Sequence, residues 1–322
     1  MSFPKVLITT YHHAYLVKGG GEYEIFSIAD TLKQHGFIVD IYGPYSRSLD
    51  DYDVVLHFSV HGGGLELLEQ IKEAKIPIVL WPNLWVRDDD VFSPELINSY
   101  LSLADVIIFK SLAEKNNFAG NYELPNEKCR DITLSVDNSY LTSAPPELFK
   151  TLYGLDEYAI WFGVIERNKN QLQAVKVLRN RGIKLVLVGT ARSKSYLQSC
   201  LDAGGDGILV IPNLPYKSEI VRSALQGAIF YIEVGYEPAG ISAIEAGLSG
   251  CKLVLSDSEW SREHFGNDAF YADPRSEESL IKAVDAVTDQ RCNKSPLNES
   301  LRRFCLPQAI QPLVDILKSL IR

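Results

Sequence analysis

Short runs of β-branched and aliphatic residues alternate with amphipathic stretches along nearly all of the chain, and this alternation decides the fold class. A strand buried on both faces reads as an unbroken apolar run, while a helix between two such strands repeats its apolar residues at helical spacing. In the first half the strands read 5–10 (KVLITT), 37–42 (FIVDIY), 53–58 (DVVLHF), 77–81 (PIVLW), 105–109 (DVIIF) and 131–135 (DITLS). The clearest helix among them is 21–35, where Ile25, Ile28, Ala29 and Leu32 share a face and Gly36 follows as C-cap. Over 138–157 the pattern lapses, and with its Pro145-Pro146 pair this segment reads as a linker. Strands then resume at 158–163, 184–188, 207–211, 228–233 and 252–255, with a short element near 269–271. Helices fall between them at 169–181, 193–203, 216–226, 241–249 and 276–288. The expectation is an α/β chain of two doubly wound domains, 1–148 and 149–305, facing a cleft at the carboxyl ends of their strands. A last helix, 307–321, carries Ile310, Leu313, Val314, Leu317 and Leu320 on one face that must be buried.

At 322 residues the chain is long for one core and ample for two. Its net charge of −9 is unevenly spread. Residues 1–148 hold 11 Lys+Arg against 21 Asp+Glu, a net −10, and the remainder holds 21 against 20, a net +1. Nucleic-acid phosphates and anionic lipid headgroups repel an acidic half-molecule, so nucleic acid is not an expected partner and membrane association is at most weak and peripheral. No apolar run approaches the ~18 residues that span a bilayer, and the first residues lack a signal-peptide pattern. The five cysteines are scattered, odd in number and without a C-x-x-C pair. A disulfide frame or zinc site is not expected, and a cytoplasmic location is.

The run Glu237-Pro-Ala-Gly240-Ile241-Ser242-Ala-Ile-Glu245-Ala-Gly-Leu-Ser-Gly250 is the most specific chemical feature. A strand ends near Glu233, a turn containing Gly240 follows, and a helix begins at about Ile241. Glycine lets a backbone approach a ligand closely, and the free N–H groups of a first helical turn attract an anion such as a diphosphate. Glu245, one turn into the helix, is placed to accept hydrogen bonds from vicinal hydroxyls, and Glu237 stands just before the helix. Two acids eight residues apart also arise on an ordinary solvated helix face; here the Gly-x-Ser turn, the EAGLSG tail and the following KLVLSD strand accompany them.

With those surroundings the Glu-x7-Glu run resembles the donor motif of family 4 glycosyltransferases. Lys18-Gly19-Gly20-Gly21-Glu22, after the first strand, lies where that family keeps a glycine-rich loop touching the donor phosphates, although a plain tight turn has the same composition. Phe162-Gly163-Val164-Ile165-Glu166-Arg167-Asn168-Lys169-Asn170 resembles the second-domain opening whose basic side chains grip the diphosphate. One departure is that the family's Arg directly after this glycine is Val164 here. Ile211, ending strand 207–211, joins the donor-binding candidates, Glu259–Pro274 resembles the later loop and short strand, and Ser135-Val136-Asp137 resembles the end of the first domain. On the acceptor side, Asn83 stands roughly where members often place a His. His57 and His61 lie in LHFSVHGGG, and His12 and His13 follow the first strand. Each histidine is equally readable as a hydrogen-bonded structural residue.

The resemblance covers nearly the whole chain, most strongly 228–274. It implies the GT-B architecture: two Rossmann-like domains facing a cleft, with a C-terminal helix (306–322) crossing back to the first. The implied activity is glycosyl transfer with retention of configuration from a nucleotide diphosphate sugar to a glycan, glycolipid or small-molecule acceptor, as in cell-surface polysaccharide assembly. Lys169, Arg167 and the helix start would stabilise the leaving diphosphate, Glu237 would hold the sugar and Glu245 the ribose. No metal and no cofactor is implied; the run Asp88-Asp89-Asp90 reads as a solvated helix start. Alternatives are a catalytically silent binding subunit, kept open by Val164 and Asn83, and an epimerase or phosphorylase of the same architecture.

Overall fold

The computed structural model describes residues 3–16, 20–87, 92–289 and 297–321. The chain divides into two compact units, one of Met1–Ser135 with Leu306–Arg322, the other of Val136–Cys305.

In the first unit six parallel strands, β1 (Lys5–Thr10), β2 (Ile38–Ile41), β3 (Val54–Phe58), β4 (Ile78–Trp81), β5 (Val106–Phe109) and β6 (Cys129–Asp131), pair in the order β2-β1-β3-β4-β5-β6. Successive side chains of a strand point to opposite faces, so each apolar run feeds two cores. Val6, Ile8, Leu56, Val79 and Trp81 enter the core shared with Ile25, Ile28 and Leu32 of helix Gly20–Gln34. Leu7, Val55, Leu80 and Ile107 enter the core on the other face. Strand β6 lies earlier than the expected 131–135. Cys129, Arg130 and Asp131 pair with Ile107, Ile108 and Phe109, and Ile132 adds one further bond to the Phe109 carbonyl before the chain leaves the sheet. As an edge strand it buries Cys129 and exposes Arg130 and Asp131, so apolar alternation does not mark it. The C-terminal segment packs in the first core through Leu306, Ile310, Leu313, Val314 and Leu317. It is a 3-10 turn, Gln308–Ile310, followed by helix Gln311–Leu320 with Pro312 at its start, not one continuous helix.

The second unit repeats the scheme with β7 (Tyr158–Phe162), β8 (Lys184–Val188), β9 (Ile208–Ile211), β10 (Phe230–Glu233), β11 (Leu253–Ser256) and β12 (Phe270–Ala272), all parallel, in the order β12-β11-β10-β7-β8-β9. The order reverses between β7 and β10, and the carboxyl edge of such a switch point is where open α/β sheets bind ligands. The segment read as a linker is structured: a 3-10 turn, Asn138–Leu141, and helix Pro146–Tyr153 belong to this unit. That helix lies against helix Glu219–Gly227. Ser223 Oγ accepts from the Phe149 N–H at 2.9 Å and donates to the Pro145 carbonyl at 2.6 Å, and Phe149 is fully buried. Leu148 and Leu152 stay exposed on its outer face, which blurs the helical period, so the expected boundary at 148/149 falls inside a helix. Among the described residues no helix is long and apolar enough to cross a membrane.

Candidate active site

The loop that follows β7 is fixed from several sides. Gly163 has φ 154° and donates its N–H to the Val188 carbonyl, and Gly189 crosses it so closely that a Cβ there would lie 2.0 Å from the Gly163 carbonyl oxygen. Gln171, fully buried, donates to the Val164 carbonyl at 2.8 Å. Asn170, at φ 57°, donates to the Pro274 carbonyl at 3.0 Å. On the facing loop, a Cβ on Gly235 would stand 3.1 Å from the Asn168 oxygen and 3.2 Å from Lys169 Cα. The absent side chain is what lets the 3-10 turn Arg167–Lys169 settle against the end of β10.

Lys169 is thereby held over β10. Its Nζ lies 3.1 Å from Glu233 Oε1 and 3.9 Å from Glu237 Oε2. Burial alone would lower its pKa; the two carboxylates more than offset this and raise it, so the lysine stays charged. Glu233, the last residue of β10, is 1% exposed. It accepts from Tyr231 Oη at 2.7 Å on Oε2, and the Gly240 N–H lies 3.4 Å from Oε1. Ser242 Oγ lies 3.4 Å from Oε2 and 3.0 Å from Tyr231 Oη. Burial, then the charge of Glu233, drives the Tyr231 pKa well up, so its hydroxyl keeps its proton and donates. Glu233 was not among the residues the sequence pointed to. Its one signal is a carboxylate closing the otherwise apolar central strand FYIE.

Helix Ile241–Leu248 begins beside this pair with Gly240 as N-cap and no capping side chain. Gly240 has φ −85° and ψ −174°, which any residue adopts, and a Cβ there would meet Ser242 Oγ at an ordinary 3.5 Å. Backbone strain and crowding within the protein do not explain this glycine. What it does is offer no capping side chain of its own to the first N–H groups of the helix. Glu237, its side chain 27% exposed, stands before the helix, and Ile241 and Ser242 are half-buried.

One turn in, Glu245 accepts hydrogen bonds from the Tyr140 and Tyr216 hydroxyls, with the Lys217–Asp137 pair (2.8 Å) nearby. Burial pushes its pKa up to about 7, against the lowering effects of Tyr140, Lys217 and Tyr216. Tyr140 and Tyr216, also unforeseen, come from segments far away in sequence. Arg167 does not join the lysine's ion pairs: it lines a cavity of about 330 Å³ with Asn170, Gln173, Lys176 and Tyr236. Ile211 is buried at the end of β9, its carbonyl taken by the Gly189 N–H.

Residues 150–303 match the family model described as glycosyl transferases group 1, the stretch that holds Lys169, Glu233, Glu237 and Glu245. The chain is a glycosyltransferase. No sequence match is found among curated proteins. Solved structures share the fold: sucrose-phosphate synthase from Thermosynechococcus elongatus at 13% identity and TM-score 0.80, covering 98% of this chain and 99% of that one. HepE of Anabaena, in complex with UDP and glucose, is 16% identical with TM-score 0.79, covering 98% of this chain and 100% of its own. A glycosyltransferase from Rickettsia africae is 14% identical with TM-score 0.78, covering 99% and 98%. Two parallel six-stranded Rossmann-like units of this kind make the architecture GT-B.

In the first unit of this glycosyltransferase the candidates scatter. Gly20 and Gly21 open helix Gly20–Gln34, and a Cβ on Gly21 would lie 3.1 Å from the Phe58 ring; Lys18, Gly19 and Asp88–Asp90 lie outside the described residues. His57 is fully buried, its Nδ1 2.7 Å from Thr9 Oγ1, and burial lowers its pKa to about 4. That places it in the core, not where an acceptor could touch it. His61 packs between Tyr11 and Phe92 with Nδ1 3.0 Å from Ser59 Oγ, while His12 and His13 are exposed. Asn83, at φ 43°, accepts from Lys110 Nζ at 3.3 Å; Lys110 also donates to buried Glu24 at 3.1 Å and lies 4.6 Å over the Trp81 ring. Among the described residues no group of three or more His, Cys, Asp or Glu is placed to hold a metal ion.

Proposed function

We propose that the chain is a retaining, metal-independent glycosyltransferase that takes a sugar from a nucleotide diphosphate sugar and passes it to a glycan, glycolipid or small-molecule acceptor. The observation that carries this is one charged lysine and one half-exposed carboxylate, Lys169 and Glu237, set 3.9 Å apart beside an uncapped helix start. A lysine and free helical N–H groups stabilise a leaving diphosphate, the preorganised electrostatics that this chemistry needs. The bond from the anomeric carbon to phosphate oxygen breaks, a bond to the acceptor oxygen forms, and the departing phosphate takes the acceptor proton. Glu237 holds the sugar hydroxyls, Glu245 the ribose, and Arg167 supplies a second, outer positive charge. Exposed His13 and half-buried His61 and Asn83 remain acceptor-side residues, and the likeness to a fold holding UDP and glucose makes UDP-glucose the first donor to test. Cytoplasmic polysaccharide assembly, with at most weak peripheral docking at the membrane, suits the acidic first unit.

Val164, together with the two acids bracketing Lys169, favours one second reading, a binding subunit without turnover. A thermal-shift panel of UDP-, GDP-, ADP- and dTDP-sugars, followed by product analysis in excess EDTA, separates these. A ligand at 100 times its Kd adds about 2.7 kcal/mol. An α-linked product from an α-linked donor, formed undiminished with EDTA, is the expected result. Binding without transfer or slow hydrolysis supports the second reading, and loss with EDTA restored by magnesium or manganese refutes metal independence.

A further inference from the structure

Lys169, the cation proposed to grip the diphosphate, lies between two carboxylates and is closer to the buried one. Glu233 Oε1 faces both groups assigned to the diphosphate, the Lys169 ammonium and the Gly240 N–H, while Oε2 faces the Tyr231 and Ser242 hydroxyls. At 1% exposure Glu233 does not reach solvent or sugar. An apolar residue would continue the strand Phe230-Tyr-Ile, and replacing buried charge pairs by apolar groups is often harmless to stability. A carboxylate kept there has a use in placing the lysine and in setting the charge around it.

We propose that Glu233 is a positioning residue of the donor site, fixing Lys169 at the start of helix Ile241–Leu248 while its negative charge weakens the hold on the nucleoside diphosphate and so speeds product release. Resting as it does on the donor reading above, this predicts tighter binding when the charge is removed, a direction that loss of a structural contact does not give. The amide of Glu233→Gln fits: its oxygen can face Lys169 and Gly240, and its nitrogen can donate to the Tyr231 and Ser242 oxygens. Tyr231 Oη is then free to donate to the Phe162 carbonyl, 3.4 Å away.

The test is calorimetric titration of UDP, GDP, ADP and dTDP, and of inorganic pyrophosphate as a base-independent probe, into wild type, Glu233→Gln and Glu233→Asp, with Tm and steady-state kinetics alongside. Glu233→Gln should bind the accepted diphosphate and pyrophosphate on the order of tenfold tighter, with kcat and donor KM falling together as release slows. Glu233→Asp, which keeps the charge but shortens the reach to Lys169, should show no tightening of diphosphate binding and should turn over more slowly. Equal or weaker binding by a folded Glu233→Gln, or equal tightening by Glu233→Asp, overturns the proposal. If Glu233→Gln does not fold, Lys169→Met is compared with Lys169→Met/Glu233→Gln, and the double variant must bind tighter. Binding of no diphosphate to wild type rejects the donor reading itself, whereas binding to wild type with no gain on removing the charge rejects the role of Glu233 alone.

Discussion

Both units place a lysine against a buried glutamate beyond the strands of a parallel sheet, yet the two pairs have different surroundings. In the first unit Lys110 spends its contacts inward, on Glu24, on Asn83 and on the Trp81 ring. Burial raises the Glu24 pKa in spite of Lys110. In the second unit Lys169 meets Glu233 below and half-exposed Glu237 beside it, next to a helix start without a capping side chain. A buried ion pair is therefore not by itself a sign of chemistry. It becomes one where a partly exposed partner and a helix start without a capping side chain adjoin it.

The largest expected effect isolates the first unit. Deleting 306–321 removes Leu306, Ile310, Leu313, Val314 and Leu317 from its core. Losses of about 2–5 kcal/mol for each of these large buried side chains together match or exceed the ~5–15 kcal/mol of a typical fold, so the truncated chain should precipitate or lose its cooperative melt. An unchanged Tm would refute the packing of this helix.

Lys110→Met should act on stability, not chemistry. It strands buried Glu24, a cost of about 3–5 kcal/mol in urea unfolding, while the folded fraction keeps its donor KM. A large rise in donor KM at unchanged stability would show that the two pairs are not the scaffold and the site that the contrast makes them.

The two acids that flank the start of helix Ile241–Leu248 should fail differently. On the proposed function, in which Glu237 holds the sugar as positive charge develops on it, Glu237→Gln should lower kcat about 10- to 150-fold, the worth of a lost charge-assisted hydrogen bond. Glu245→Gln should mainly raise donor KM and weaken nucleotide binding. The reverse pattern in kinetics and calorimetry would exchange their roles.

A smaller effect follows from the Glu245 pKa of about 7. A carboxyl whose folded pKa exceeds its unfolded value, about 4.3, stabilises the fold fully below the unfolded pKa and loses that contribution as pH rises through 7. Tyr140, Tyr216, Lys217 and Asp137 face it, and none of them removes the proton preference. Urea unfolding should therefore show Glu245→Gln gaining on wild type between pH 5 and pH 8, with wild-type donor affinity weakening below pH 7. A stability difference that does not change over this range would contradict the half-buried, proton-holding acid.

Among the described residues the alternation that defines twelve strands is local, so it is legible residue by residue, and of these β6, a short polar edge, breaks the rule. Helix Pro146–Tyr153 is hidden by its exposed leucines. Glu237, Gly240 and Glu245 are legible because they share one short stretch whose helix start is written in its residues. The partners that set their chemistry are not, since Lys169 lies 64 residues from Glu233 and Lys110 lies 86 from Glu24. Sequence spacing carries no sign of pairs that only the sheet order brings together. Gly235 is the quiet link, a residue whose missing side chain lets the lysine turn reach β10.

The central claim, that Lys169 beside the Ile241 helix grips a nucleoside diphosphate, is tested most directly by calorimetric titration of UDP, GDP, ADP and dTDP into wild type and Lys169→Met. One of the four should bind wild type at one site per chain, and Lys169→Met should weaken that binding at least tenfold, the worth of about 1.4 kcal/mol, with the Lys110→Met protein binding as wild type does. Undiminished binding to a folded Lys169→Met would contradict the account.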